Sequence, residues 1–315
     1  MIHFSRPQRT LAKKCLGWLT CSCFILIAAC TQSTVTPPES PLLALTPTEF
    51  NNTIADLYNF PRNGDSWPEP HPIADTIAPP LGERAGLFGQ APVEIPPWPW
   101  AFPDEIGLDD FEGMSDGQIP SPYQIEEIQK AANHFAAYSL VSTIFFTCEN
   151  WEDLAQEEAI ACGWESLLRF AQRAWRRPVT EAEQNRLETY WNQIRAETTI
   201  PEAIALTVSA ILQSPAFVFK IEEGVSEEAG ANAIALSNWE MASRLSYFLW
   251  DSMPDAELFG AAASGSLSTT SGVATQARRM LENPKARNAV IDFHHQLLGT
   301  HEVRRVAPAR RAHGE

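Results

Sequence analysis

The stretch Arg173-Ala174-Trp175-Arg176-Arg177-Pro178-Val179-Thr180-Glu181-Ala182-Glu183 stops one helix and starts another. Upstream of it, Leu167, Leu168, Phe170, Ala171, Ala174 and Trp175 recur at helical spacing. Pro178 has no N–H to donate and forbids continuation. Thr180, with Glu183 three residues on, spells a capping box, in which the hydroxyl and the carboxylate each accept a backbone N–H left free at a helix start. The arginines fall in the last turn of the first helix, where each cation meets the negative end of the helix dipole for ~0.3–1 kcal/mol. Trp175 is expected to pack into the angle between the helices. A buried carboxylate within the protein is the expected partner for the guanidinium forks. Arg173, Trp175, Arg176, Arg177, Pro178, Thr180 and Glu183 together read as a structural helix joint.

The same punctuation recurs outward from the joint. Thr46-Pro47-Thr48-Glu49 opens a helix carrying Phe50, Ile54, Leu57 and Tyr58. Ser121-Pro122-Tyr123-Gln124 opens another, with Ile125, Ile128, Ala132, Phe135 and Ala136. The helix before the joint is expected from about Leu154 to Arg176. Pro201 starts one through Ile204, Val208, Ile211 and Leu212, ending before Pro215. Ser237-Asn238-Trp239-Glu240 opens one bearing Leu245, Phe248 and Leu249. Shorter helices are expected over 254–263, 271–281 and 285–298, the last closed by Gly299. No segment alternates with period two for long enough to predict a strand. The expected class is all-α, a multi-helix bundle-like array. It is interrupted from Pro61 to Pro122 by a long Pro/Trp-rich irregular segment. Trp67, Trp98 and Trp100 in that segment either form a glycan-facing stacking platform or fill gaps against the helices.

The chain ends read differently from its body. Residues 1–29 join a basic start to an apolar run and small residues, the pattern of a secretory signal. Ile27-Ala28-Ala29-Cys30 resembles a lipobox, which makes Cys30 the expected lipidation site. Residues 30–45 read as a Ser/Thr/Pro tether. The leader holds four cations and no acid, so its loss takes the net charge from −16 to −20. A body that acidic repels nucleic acid. Only Cys148 and Cys162 then remain, and in an oxidising compartment a disulfide between them is expected rather than a metal site. The expected modules are 46–145 with its Pro-rich insertion, 146–198 around the joint and a main module over 199–303. An atypical basic tail follows over 304–315.

Five phrases carry a resemblance. They are "ALTPTEFNNTIADL" (44–57), "FPDEIGLDDFEG" (102–113), "RAWRRPVTEAE" (173–183), "AILQSPAFVFKIE" (210–222) and "LSNWEMASRLSYFLWDSMPDAEL" (236–258). In this order they resemble the planctomycete surface-domain family, uncharacterised helical modules of planctomycetes and myxobacteria. The resemblance also implies a cysteine pair where Cys148 and Cys162 stand. Family members often continue into a c-type haem motif, which implies a role near surface electron transfer. This chain has no Cys-x-x-Cys-His, so no cofactor is expected. Its tail departs from the family and is expected to be a truncated end.

No catalytic role and no metal set is assigned. His294 and His295 adjoin on a predicted helix and point apart. The expected function is that of an exported lipoprotein, at the outer membrane or cell surface, acting as a non-enzymatic helical scaffold or interaction module. An envelope protein or a glycan is its expected partner. The alternative is an accessory to extracellular electron transfer or polysaccharide processing.

Overall fold

A computed structural model describes residues 42–59, 99–100, 102, 120–140, 142, 144–225 and 235–299. The leader, Cys30, Trp67, Trp98 and the 304–315 tail lie outside the described residues.

The architecture is all-α, as the capping signals predict. Helix α1 (Pro47–Tyr58) starts at the Thr46–Glu49 box and turns Phe50, Ile54, Leu57 and Tyr58 inward. Helix α2 (Pro122–Ser139) starts at the Ser121–Gln124 box. Helix α3 (Gln156–Ala174) and helix α4 (Glu181–Glu197) flank the joint. Helix α5 (Ile200–Gln213) packs against α2, α3 and α4, and Ala203, Ile204, Ala205, Val208, Ile211 and Leu212 are wholly buried. A helix apolar on this many sides belongs inside a core. Its start is the box Thr199–Glu202, a local signal that reading from Pro201 alone passes over. Gly163 lets α3 approach α5, because a Cβ there would lie 3.3 Å from Ile204 Cδ1 and 3.5 Å from Trp191 Cη2.

After α5 comes α6 (Pro215–Val218), a single turn, followed by a two-residue strand β2 (Phe219–Lys220). It pairs antiparallel with β1 (Leu43–Ala44), Leu43 opposite Lys220 and Ala44 opposite Phe219. Two residues are too few to show alternation, which is why sequence pattern predicts no strand. The end of the 30–45 stretch is thereby part of the folded body.

Helix α7 (Asn238–Trp250) begins at the Ser237–Glu240 box and stops at Asp251, whose φ is +48°. Helices α8 (Ala256–Ala263), α9 (Thr270–Leu281) and α10 (Pro284–Leu297) complete the array, each capped by a polar side chain. Trp250, Leu258, Leu267, Met280 and Ala286 form a second, smaller core beneath α7. The larger core runs from Leu45 to Met253 and crosses the sequence boundaries at 145/146 and 198/199, since α5 is central to it.

Cys148 and Cys162 form a disulfide with Cα atoms 6.1 Å apart. On the same face of α3, Ser166 Oγ accepts the Thr147 N–H at 3.0 Å. Arg169 Nη2 donates to the carbonyls of Ile144 and Phe145 at 2.7 and 2.6 Å. Positions 162, 166 and 169 are one and two helical turns apart, so a single stripe of α3 holds the whole preceding loop. Phe146 stacks on Trp151 within that loop, ring centroids 4.3 Å apart.

Candidate functional site

The arginine joint holds Arg176, the most enclosed charged side chain among the described residues. Helix α3 ends earlier than predicted, because Arg176 adopts φ +60°. It therefore stands just past the helix, in the left-handed position where glycine is usual. For an L-residue that conformation costs about 1–2 kcal/mol. The side chain explains why an arginine occupies it.

Arg176 is 3% exposed. Its Nη1 donates to the Phe217 carbonyl at 3.1 Å, the Ala174 carbonyl at 3.2 Å and Tyr247 Oη at 3.3 Å. Its Nη2 donates to the carbonyls of Ala216, Phe217 and Phe219 at 2.9, 3.1 and 2.7 Å. Ala216 and Phe217 lie in the single turn of α6, where no following turn can bond their carbonyls, and Phe219 follows as its C-cap at the start of β2. The expectation of a carboxylate partner is corrected for this residue. The unpaired carbonyls of a helix C-terminus take its place, and they carry partial negative charge of their own. A guanidinium reaches several of them at once because its donors sit in a fixed fork, which an ammonium lacks.

Arg173 and Arg177 each serve a different neighbour. Arg173 Nη2 donates to the Asp56 carbonyl at 2.8 Å and Nη1 to that of Leu57 at 3.2 Å, closing the end of α1. Arg177 grips both carboxylate oxygens of Glu183 at 2.8 Å, the internal carboxylate pairing expected of the joint. Chiefly through that hydrogen bond, the Glu183 carboxyl is held down to about 2. Trp175 is buried, and its Nε1–H donates to the Ile211 carbonyl at 3.3 Å. The end of α3 thus ties α1, α4, α6 and α7 together.

Tyr247 lies on the far side of Arg176, a residue that sequence reading did not single out. Its Oη shares a hydrogen bond with Thr53 Oγ1 at 2.8 Å, and burial pushes its phenol above the usual range. Arg176 and Lys220 each stand 5.5 Å from the Tyr247 ring centre. Lys220 in turn bonds both oxygens of Glu49 at 2.6 and 2.9 Å. Glu49 was legible as the closing residue of a capping box, but its pairing with Lys220 was not.

Trp100 is the one described member of the aromatic trio, and a glycan-facing role for it is corrected. It is 8% exposed, packs near Phe135 and His134, and donates its Nε1–H to Glu127 Oε2 at 3.2 Å. Its backbone N–H and carbonyl pair with the Asn51 side chain, each at 3.0 Å. A ring so enclosed has no open face for a sugar. Beside it, burial holds the His134 imidazole down to about 4.

That shift predicts an acid response. The unfolded chain binds the His134 proton near pH 6.5 and the folded chain only near 4, so stability is full above 6.5 and falls as pH drops toward 4. Thermal melts between pH 7 and 4 should therefore fall more steeply for the natural chain than for His134→Phe. Equal slopes would refute the assignment. Glu183 responds lower, its stabilisation present above pH 4.5 and lost as pH falls through about 2.

Elsewhere, α10 turns Val290, Phe293 and Leu297 outward on one face, and each is more than half exposed. His294 Nδ1–H donates to the Val290 carbonyl at 2.7 Å. Among the described residues no group of three His, Cys, Asp or Glu side chains is arranged to hold a metal ion. Gly113-Met114-Ser115-Asp116-Gly117 carries the letters of a Gly-x-Ser-x-Gly nucleophile elbow. It lies in the Pro-rich segment and outside the described residues.

Two family models match parts of the chain. Residues 162–222 match PSD5, a protein of unknown function (DUF1595). Residues 236–315 match PSD4, a protein of unknown function (DUF1592). The first match runs from within α3 through β2 and includes the joint, and the second contains α7 to α10. The second also runs across the 304–315 stretch that composition sets apart. No curated protein and no solved structure matches the chain.

Proposed function

We propose that this chain is an exported cell-envelope lipoprotein, anchored at Cys30, whose helical body serves as a scaffold or interaction module on the bacterial surface. The observation that carries the scaffold reading is Arg176. Its guanidinium is buried and bonded on both Nη atoms to four backbone carbonyls and a tyrosine, so the joint stiffens the body rather than offering a receptor for a ligand. The enclosure of Trp100 supports the same reading over polysaccharide binding at that ring. The Cys148–Cys162 disulfide suits an oxidising compartment. The outward apolar side chains of α10 suit contact with an envelope protein. The strongly acidic composition supports partners other than nucleic acid.

Two measurements test the reading. Mass spectrometry of the purified protein should find an acyl modification on Cys30, and Cys30→Ala should move the protein from the membrane to the soluble fraction. A variant that stays with the membrane would defeat the anchor. For the body, cross-linking in envelope fractions should give defined protein adducts that disappear in a Phe293→Ser, Leu297→Ser double variant. Turnover of a glycan by the mature body would overturn the scaffold assignment.

A further inference from the structure

We infer that the body consists of two helical lobes latched together by one face of α1, and that breaking this latch lets the second lobe open as a separate cooperative unit. The first lobe is the larger core around α5, and the second is the core beneath α7 with α8, α9 and α10. Each has its own buried apolar cluster. The apolar seam between them is thin: from α7 onward, Tyr247 and Met253 are the buried residues that enter the larger core, and Phe259 packs half-buried against it.

The other ties are polar: Arg176 donates to Tyr247 Oη, Arg244 and Glu240 bond the segment after β2, and the largest group centres on α1. Lys285, in the first turn of α10, places Nζ 2.8 Å from both carboxylate oxygens of Asp56. Ser252 Oγ donates to Asp56 Oδ2 at 2.5 Å, and Asn52 Nδ2 donates to the Asp251 carbonyl at 2.9 Å. Thr53 meets Tyr247 Oη. Asn52, Thr53 and Asp56 share one face of α1, while Phe50, Ile54, Leu57 and Tyr58 hold the helix in the first lobe. Neither family match includes α1, so its half of the latch comes from outside both matched segments, while Lys285, Ser252, Asp251 and Tyr247 lie within the second. A seam of this kind resembles a transient interface, in which relative motion is the ordinary expectation, more than it resembles a continuous core. Subglobal opening then follows the unit with its own core and few apolar ties outward.

Amide hydrogen exchange on the full mature chain, read peptide by peptide, tests this. In Asp56→Ala, peptides from α8, α9 and α10 should exchange about tenfold faster, the equivalent of roughly 1.4 kcal/mol, while those from α2 and α5 keep their natural rates. Swapping the charges, Asp56→Lys with Lys285→Asp, should restore much of the protection. Should Asp56→Ala not fold, Lys285→Met at the lobe surface reads the same difference. Unchanged exchange in α8 to α10, or an equal rise in α2 and α5, would overturn the latch.

Discussion

Arg176→Ala should lower the unfolding free energy by about 3–5 kcal/mol, as several buried acceptors lose their donor together. The loss has two sources. The carbonyls of Ala216, Phe217 and Phe219 stay buried or half-buried without their donor, and Tyr247 Oη loses one of its two bonds. Desolvated acceptors left unpaired cost about 1–3 kcal/mol each before relaxation or water entry reduces the figure. Arg176→Lys should recover part of the loss, since an ammonium keeps the charge but cannot span the same carbonyls. Arg176→Gly should be less harmful than Arg176→Ala by about 1 kcal/mol, because glycine tolerates the φ of +60° that alanine does not. Urea unfolding at constant m-value measures all three. Domains of ordinary stability hold 5–15 kcal/mol in total, so the alanine variant should be visibly fragile at growth temperature. A loss below about 1 kcal/mol would mean that water satisfies those carbonyls as well as the guanidinium does.

Replacing both Cys148 and Cys162 by serine should cost about 3 kcal/mol, the chain-entropy value for a closed loop of this length. The loop is also held by Ser166 and by Arg169, so the native geometry should survive in the variant. The decisive comparison is redox-dependent. A reductant should lower the melting temperature of the natural chain to that of the double serine variant and leave the variant unmoved. If the natural chain melts identically with and without reductant, the crosslink contributes nothing to stability.

The helical architecture was legible because capping is local. Thr46 and Glu49, Ser121 and Gln124, Thr180 and Glu183, and Ser237 and Glu240 each satisfy one another within four residues, so their pattern survives in the bare sequence. Thr199 and Glu202 obey the same rule and were equally readable. The cysteine pair was legible from the count and spacing of cysteines after the expected leader. The joint was visible as a helix break, but its chemistry was assigned to the wrong partners in part. Arg177 does meet the carboxylate of Glu183, six positions away. Arg176 reaches carbonyls some forty positions on and Tyr247 at seventy-one, and no local pattern encodes those separations.

The same distinction governs the seam between the lobes. No local pattern pairs Asp56 with Lys285, which stand on separate helices, and only the packing of α10 against α1 makes them an ion pair. Trp100 read as filler ahead of platform, but a tryptophan in a proline-broken stretch has no periodicity to say which way it faces. Its burial under His134 and Phe135 decided that question. The sequence by itself determined where the backbone must change direction, since proline, left-handed turns and N-caps act within a turn of helix. Which carbonyls would lie beneath Arg176, and which helix would close on α1, depended on the sum of apolar burial across the whole chain, and tertiary structure alone decided them.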